Sequence, residues 1–186
     1  MRNLLAGLVL LPLAACGGRL APADARQGFT ALSTSLIGAS AGAQASAYGA
    51  SSSALTGGGS GNSTASSKID FNASCLGGGS VHLAGTLNTA SSGPDTFDYS
   101  ATFANCSNEG VVIDGSLTFK LVANVSQGAA AVTWNYNGDV TFSGKVNGDC
   151  PMALTGSDSG SSAGVALNYS GTVCGQPSSA VFTAAY

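Results

Sequence analysis

From residue 68 onward the chain alternates apolar and polar residues with a period of two. Val111, Ile113, Gly115, Leu117, Phe119 and Leu121 alternate with Val112, Asp114, Ser116, Thr118, Lys120 and Val122. Trp134, Tyr136, Gly138, Val140, Phe142, Gly144 and Val146 alternate with polar partners in the same way. Phe97, Tyr99, Ala101 and Phe103 form a third run, and Val165, Leu167, Tyr169, Gly171 and Val173 a fourth. One-sided alternation marks antiparallel strands with one buried and one wet face. Strands are predicted near 68–75, 79–87, 95–105, 110–125, 130–146, 149–158, 163–174 and 180–186. The connectors "TASSGP", "SNEG", "SQG", "NGD", "DSGSSAG" and "GQPSS" carry turn chemistry, and Asn147-Gly148 predicts a two-residue hairpin turn. Links this short imply a mainly β chain: an antiparallel up-and-down meander of about eight strands.

Glycine interrupts the apolar phase. The pattern apolar-x-apolar-x-Gly recurs as "VHLAG", "VVIDG", "WNYNG", "VTFSG", "MALTG" and "LNYSG", placing Gly85, Gly115, Gly138, Gly144, Gly156 and Gly171 where core side chains belong. The copies are irregularly spaced, which excludes a solenoid. Glycine weakens a strand interior, so its repetition in one phase needs a geometric reason. Removing bulk from the buried face lets a sheet bend sharply or lets another element come close. The expectation is a strongly curved sheet or half-barrel with these six as sheet-bending glycines.

The region before the strands has a different character. Residues 16–66 are dominated by Ala, Ser and Gly. Within 22–48, Phe29, Leu32, Leu36, Ala43 and Ala47 fall on one side at helical spacing, with Pro22 suited to a first turn. Gly28, Gly38 and Gly42 oppose a helix by about 1 kcal/mol each. The residues leave open a docked small-residue helix or a disordered segment. Residues 49–66 read as a flexible tether of about 25 Å, and 67–186 as a disulfide-braced β-domain.

The N-terminus reads "MRNLLAGLVLLPLAACGG": a basic residue, then an apolar run too short to span a bilayer, which is a secretory signal over residues 1–15. Leu13-Ala14-Ala15-Cys16 resembles the lipobox of bacterial lipoproteins. The resemblance implies that Cys16 is acylated, with palmitate-type chains, and becomes the first mature residue. Gly17, rather than Asp, implies sorting to the outer membrane of a Gram-negative envelope. Several acyl chains on one residue suffice for stable anchoring without a spanning segment.

Composition narrows the chemistry. Charged residues are 8% of the chain and the net charge is -3, with no basic cluster, which argues against nucleic acid. Apart from Cys16, the cysteines are Cys75, Cys106, Cys150 and Cys174, an even number that predicts two disulfides in an exported chain. Folding the meander about its turns sets all four on one rim. Sequential pairing, Cys75–Cys106 and Cys150–Cys174, is favoured; Cys106–Cys150 with Cys75–Cys174 stays open. No zinc spacing and no calcium loop occurs, so no metal or cofactor is expected.

Catalytic signals are weak. "GASAG" at 38–42 and "GSSAG" at 160–164 match a nucleophile-elbow pattern, but both lie in Ser/Gly-rich sequence without the strand–turn–helix context. His82, the only histidine, falls in the polar phase, and Asp114 and Asp139 do likewise, whereas Asp149 and Asp158 lie at or near turns. The closing "AVFTAAY" resembles the last strand of an outer-membrane barrel, but the cysteines and the few aromatics argue against a spanning barrel. The expected function is a lipid-anchored, non-catalytic structural or interaction module with a protein, glycan or lipid partner. The alternative is a half-barrel carrier for an acyl chain or other apolar ligand.

Overall fold

The alternating runs become strands of one antiparallel sheet in a computed structural model, which describes residues 19–51, 64–90, 93–126, 129–161 and 164–182. Helix α1 (Pro22–Ser51) comes first. Seven strands follow: β1 (Thr64–Ser74), β2 (Ser80–Ala90), β3 (Asp95–Asn108), β4 (Val111–Ser126), β5 (Ala129–Gly144), β6 (Gly148–Ser161) and β7 (Gly164–Val173). The chain ends in a short β8 (Gln176–Pro177) and a helical turn, α2 (Ser178–Val181). Spatial order equals chain order, β1 through β8, so the sheet is an unclosed up-and-down meander.

Register explains how the alternation builds a core. Leu83, Ala101, Leu117, Gly138, Met152 and Val173 stand side by side across β2 to β7. The next row is Gly85, Tyr99, Phe119, Tyr136, Leu154 and Gly171, followed by Leu87, Phe97, Leu121, Trp134, Gly156 and Tyr169. Each row contains large side chains beside glycines, so bulk is distributed rather than removed. Residues between these positions face the other side and are largely exposed.

Helix α1 lies on the apolar face. Ala25, Gly28, Leu32, Leu36 and Ala39 are buried at helical spacing. Leu32 and Leu36 share one core cluster with Leu83, Ile113 and Val140 of the sheet, so helix and sheet are one folded unit. Two of the helix glycines have a packing reason. A Cβ at Gly28 would sit 2.5–2.9 Å from the Phe142 ring, and one at Gly42 2.7–2.9 Å from atoms of the Phe71 ring. Gly38 faces open space. Asn108 is buried and fixes the helix to the β3 end: its Nδ2 donates to the Ala31 carbonyl at 3.2 Å and to Ser35 Oγ at 3.4 Å.

Three sequence expectations are corrected. The final strand at 180–186 does not form over its described part, because Ser178–Val181 is helical; residues 183–186 lie outside the described residues. Val181 is buried as a helical residue there, so the alternation of "AVFTAAY" had another origin. The Asn147-Gly148 turn is not a two-residue hairpin. Lys145–Asn147 connects β5 to β6, Asn147 Nδ2 donates to the Gly144 carbonyl at 2.8 Å, and the Lys145 amide bonds to the Gly110 carbonyl at 3.0 Å. The tether loses both ends: residues 49–51 finish α1 and 64–66 begin β1, while 52–63 lie outside the described residues. Asp158 lies near the β6–β7 connection as expected, in the inward phase of β6 opposite Val132.

Candidate functional site

The glycines act differently from the expectation of missing core bulk. Gly138 has φ +137°, and a Cβ there would stand 2.5 Å from the Ser116 carbonyl oxygen and 3.1 Å from Leu117 Cα. The absent side chain would strike the neighbouring backbone, not fill the core. Gly115 (φ +114°), Gly144 (φ +91°) and Gly171 (φ +101°) repeat this against the carbonyls of Asp139, Gly110 and Ala153. Gly85 also has a partner backbone, around Asp98 and Tyr99, where its Cβ would go. Gly156 alone matches the close-approach idea, because the Trp134 indole occupies its side-chain space.

Three of these positions form a line. Gly115 pairs with Val140, two residues from Gly138; Gly138 pairs with Met152, two residues from Leu154, which pairs with Gly171. The left-handed backbone therefore crosses β4, β5 and β7 diagonally, a direction along which a sheet can coil. The sheet so shaped meets α1 near both edges. Phe71 of β1 touches Gly42, whereas Leu20, just before α1, accepts a 2.8 Å bond from Gln176 Nε2 of β8. Arg26 Nε donates to the Val181 carbonyl of α2 at 2.6 Å.

Beyond the helix contacts lies an aromatic group. Phe29 of α1 meets Tyr136 and Phe182 with ring centroids 6.0 and 5.1 Å apart. Tyr136 also approaches Phe119 at 4.7 Å, and Phe119 approaches Tyr99 at 4.9 Å. Tyr169 stacks on Phe182 at 4.6 Å and meets Trp134 edge-on at 6.0 Å. Burial pushes the Tyr136 phenol up to about 12, with Tyr169 adding to the shift. Burial, with Tyr136 adding, raises Tyr99 still further. Both phenols stay neutral at any physiological pH. Phe97, Leu121, Trp134 and Tyr136 are only partly buried, and Tyr169 is 40% exposed. One carboxylate oxygen of Asp158 is buried here and has no hydrogen-bond partner among the described residues. Sequence reasoning missed it; its place in the apolar phase, with Gly156 and Leu154, was the available signal.

The opposite face is wet, with Lys68, Asp70, Asp98, Asp114, Lys120, Asp139 and Asp149 spread among Ser, Thr and Asn. Ala84, Ser100, Thr118, Asn137, Ala153 and Thr172 form one row across it, and Asn88, Thr96, Val122, Thr133, Ser157 and Asn168 another. His82 lies on this face, its Nε2 2.9 Å from Asp70 Oδ1, with Asp70 largely exposed. Of the elbow-like matches, Ser40 lies within α1 and bonds to the Ile37 carbonyl, while "GSSAG" straddles the β6–β7 turn.

The cysteines close one end of the sheet. Cys75 bonds to Cys106 and Cys150 to Cys174, the sequential pairing. Cys106 sits where the β3–β4 register shifts, next to Asn105 at φ +50°. The Asn105 amide donates to Asp114 Oδ1 at 2.7 Å, which steadies that bulge. Cys16 lies outside the described residues. Among the described residues, no three His, Cys, Asp or Glu side chains are grouped to hold a metal ion, and no helix is long and apolar enough to cross a membrane. Comparison with models of known families, with curated proteins and with solved structures gives no match.

Proposed function

We propose that this chain is a lipid-anchored outer-membrane lipoprotein whose half-barrel serves as a non-catalytic interaction module. The observation that carries the reading is that α1 occupies the apolar face: Leu32 is fully buried there and Leu36 2% exposed. With much of that face covered by the chain itself, the outward rows are the broad surface left for a partner. The lipobox at Leu13–Cys16 supplies the means of attachment. Disulfides suit an oxidising envelope compartment. Cys16→Ser should move the protein from the membrane to the soluble fraction of the source cells, read by fractionation. Retention of the Ser variant on membranes would overturn the anchoring.

The carrier reading keeps one specific support, the partly buried aromatic group around Trp134 and Tyr169 with the unpartnered Asp158 oxygen beside it. Native mass spectrometry of the purified protein separates the two readings. Copurified lipid in stoichiometric amount favours the carrier, and its absence favours the interaction module.

A further inference from the structure

We infer that the disulfide-closed end of the sheet faces the bilayer and that Leu76 enters the lipid interface there. The inference rests on the acylation of Cys16 proposed above. Only Gly17, Gly18 and Arg19 separate Cys16 from Leu20, which is 5% exposed in the core and bonded to Gln176. Four residue steps reach at most about 14 Å when fully extended. A chain tethered through residues 16–66 could stand in any orientation; a chain docked from Leu20 cannot.

The docked end is the cysteine end. Arg19 lies against Gly175 in the β7–β8 connection. In a meander the β1–β2, β3–β4, β5–β6 and β7–β8 connections share one end, so residues 75–79, 109–110, 145–147 and 174–175 lie on the same end of the sheet as the point where the chain enters. This rim holds Leu76, which at 89% exposure is the most exposed large apolar side chain among the described residues. Its turn is held rigidly. The Gly77 amide bonds to the Ser107 carbonyl at 2.8 Å, the Ser107 amide to the Gly78 carbonyl at 2.9 Å, and Cys75 is bridged to Cys106. A rigid glycine turn that cannot fold its leucine inward, on the same end of the sheet as the anchored entry of the chain, fits a lipid surface. The connections and the entry point carry Arg19 and Lys145 against Glu109, a balance tolerant of anionic headgroups.

The test uses the full-length acylated protein in phosphatidylethanolamine/phosphatidylglycerol vesicles with brominated acyl chains. Leu76→Trp is compared with Pro94→Trp, at the β2–β3 connection of the opposite end, and with the wild type, whose single tryptophan is Trp134. Leu76→Trp should show a blue shift and a loss of emission beyond the wild type, and Pro94→Trp should not. Both positions are exposed, and intact disulfides by mass confirm folding. Quenching at 94 instead of 76, or at neither in an acylated, vesicle-bound protein, overturns the orientation while anchoring stands. An N-terminal fragment without acyl mass overturns both.

Discussion

Gly138 and Gly38 predict opposite outcomes for the same substitution. At Gly138 the backbone is left-handed (φ +137°) and a Cβ would meet the Ser116 carbonyl, so an alanine carries both strain and a clash. Gly138→Ala should cost about 2–3 kcal/mol. Gly38 lies within α1 and nothing stands within 4 Å of where its Cβ would go, so Gly38→Ala should gain up to about 1 kcal/mol. Urea unfolding of the two variants and the wild type checks the contrast. A Gly138→Ala variant as stable as the wild type would show that the left-handed line across the sheet is not required. The glycine pattern was visible in the sequence, but its meaning was not. Spacing reports which phase a residue occupies; it does not report the sign of φ, and four of the six strand glycines act through φ.

Among the elements, α1 depends on the sheet more than on its own propensity. It contains Gly28, Gly38 and Gly42, and its side chains are small. Helices of marginal propensity form when an apolar stripe is buried against a partner. Leu32 and Leu36 each contribute about 1.5–3 kcal/mol by leaving water, and Gly28 and Gly42 let aromatic rings approach closely. The dependence is mutual, because the inward rows of β2 to β5 would face water without the helix. A chain beginning at residue 64 should therefore bind a hydrophobic dye strongly and associate, and adding a peptide of residues 19–51 should reverse both effects. A monomeric, dye-negative chain of that length would show that the sheet is self-sufficient. The strands were legible because a period of two is a strong signal over ten or more residues. The helix was legible only as one of two alternatives, since glycine and alanine carry propensity but little periodicity. The end of the chain was misread because Val181 is buried in a helical turn, where a short apolar alternation looks the same as in a strand.

The whole molecule is a sheet whose two edges are not paired with each other, so it lacks the closure that makes a barrel resist opening. Two things substitute for closure: α1 lying between the edges, and the disulfides at one end. Cys75–Cys106 spans 31 residues and joins the β1–β2 turn to the β3 bulge; Cys150–Cys174 spans 24 and joins β6 to the end of β7. Loops of this length contribute about 3–4 kcal/mol each to stability by restricting the unfolded chain. Together they approach the whole stability of an ordinary domain, about 5–15 kcal/mol. The two bridges bind different edges of the sheet and share no residue, so their contributions should add. Replacing each pair by serine should lower stability by a similar amount, and replacing both should leave the chain largely unfolded at 37 °C. Circular dichroism melts of the three variants test this. If the variant lacking both bridges melts cooperatively within a few degrees of the parent, closure rests on α1 alone and the cysteine rim is dispensable for folding. The expected loss instead ties folding to export, since only an oxidising compartment makes the rim that sits beside the proposed anchor.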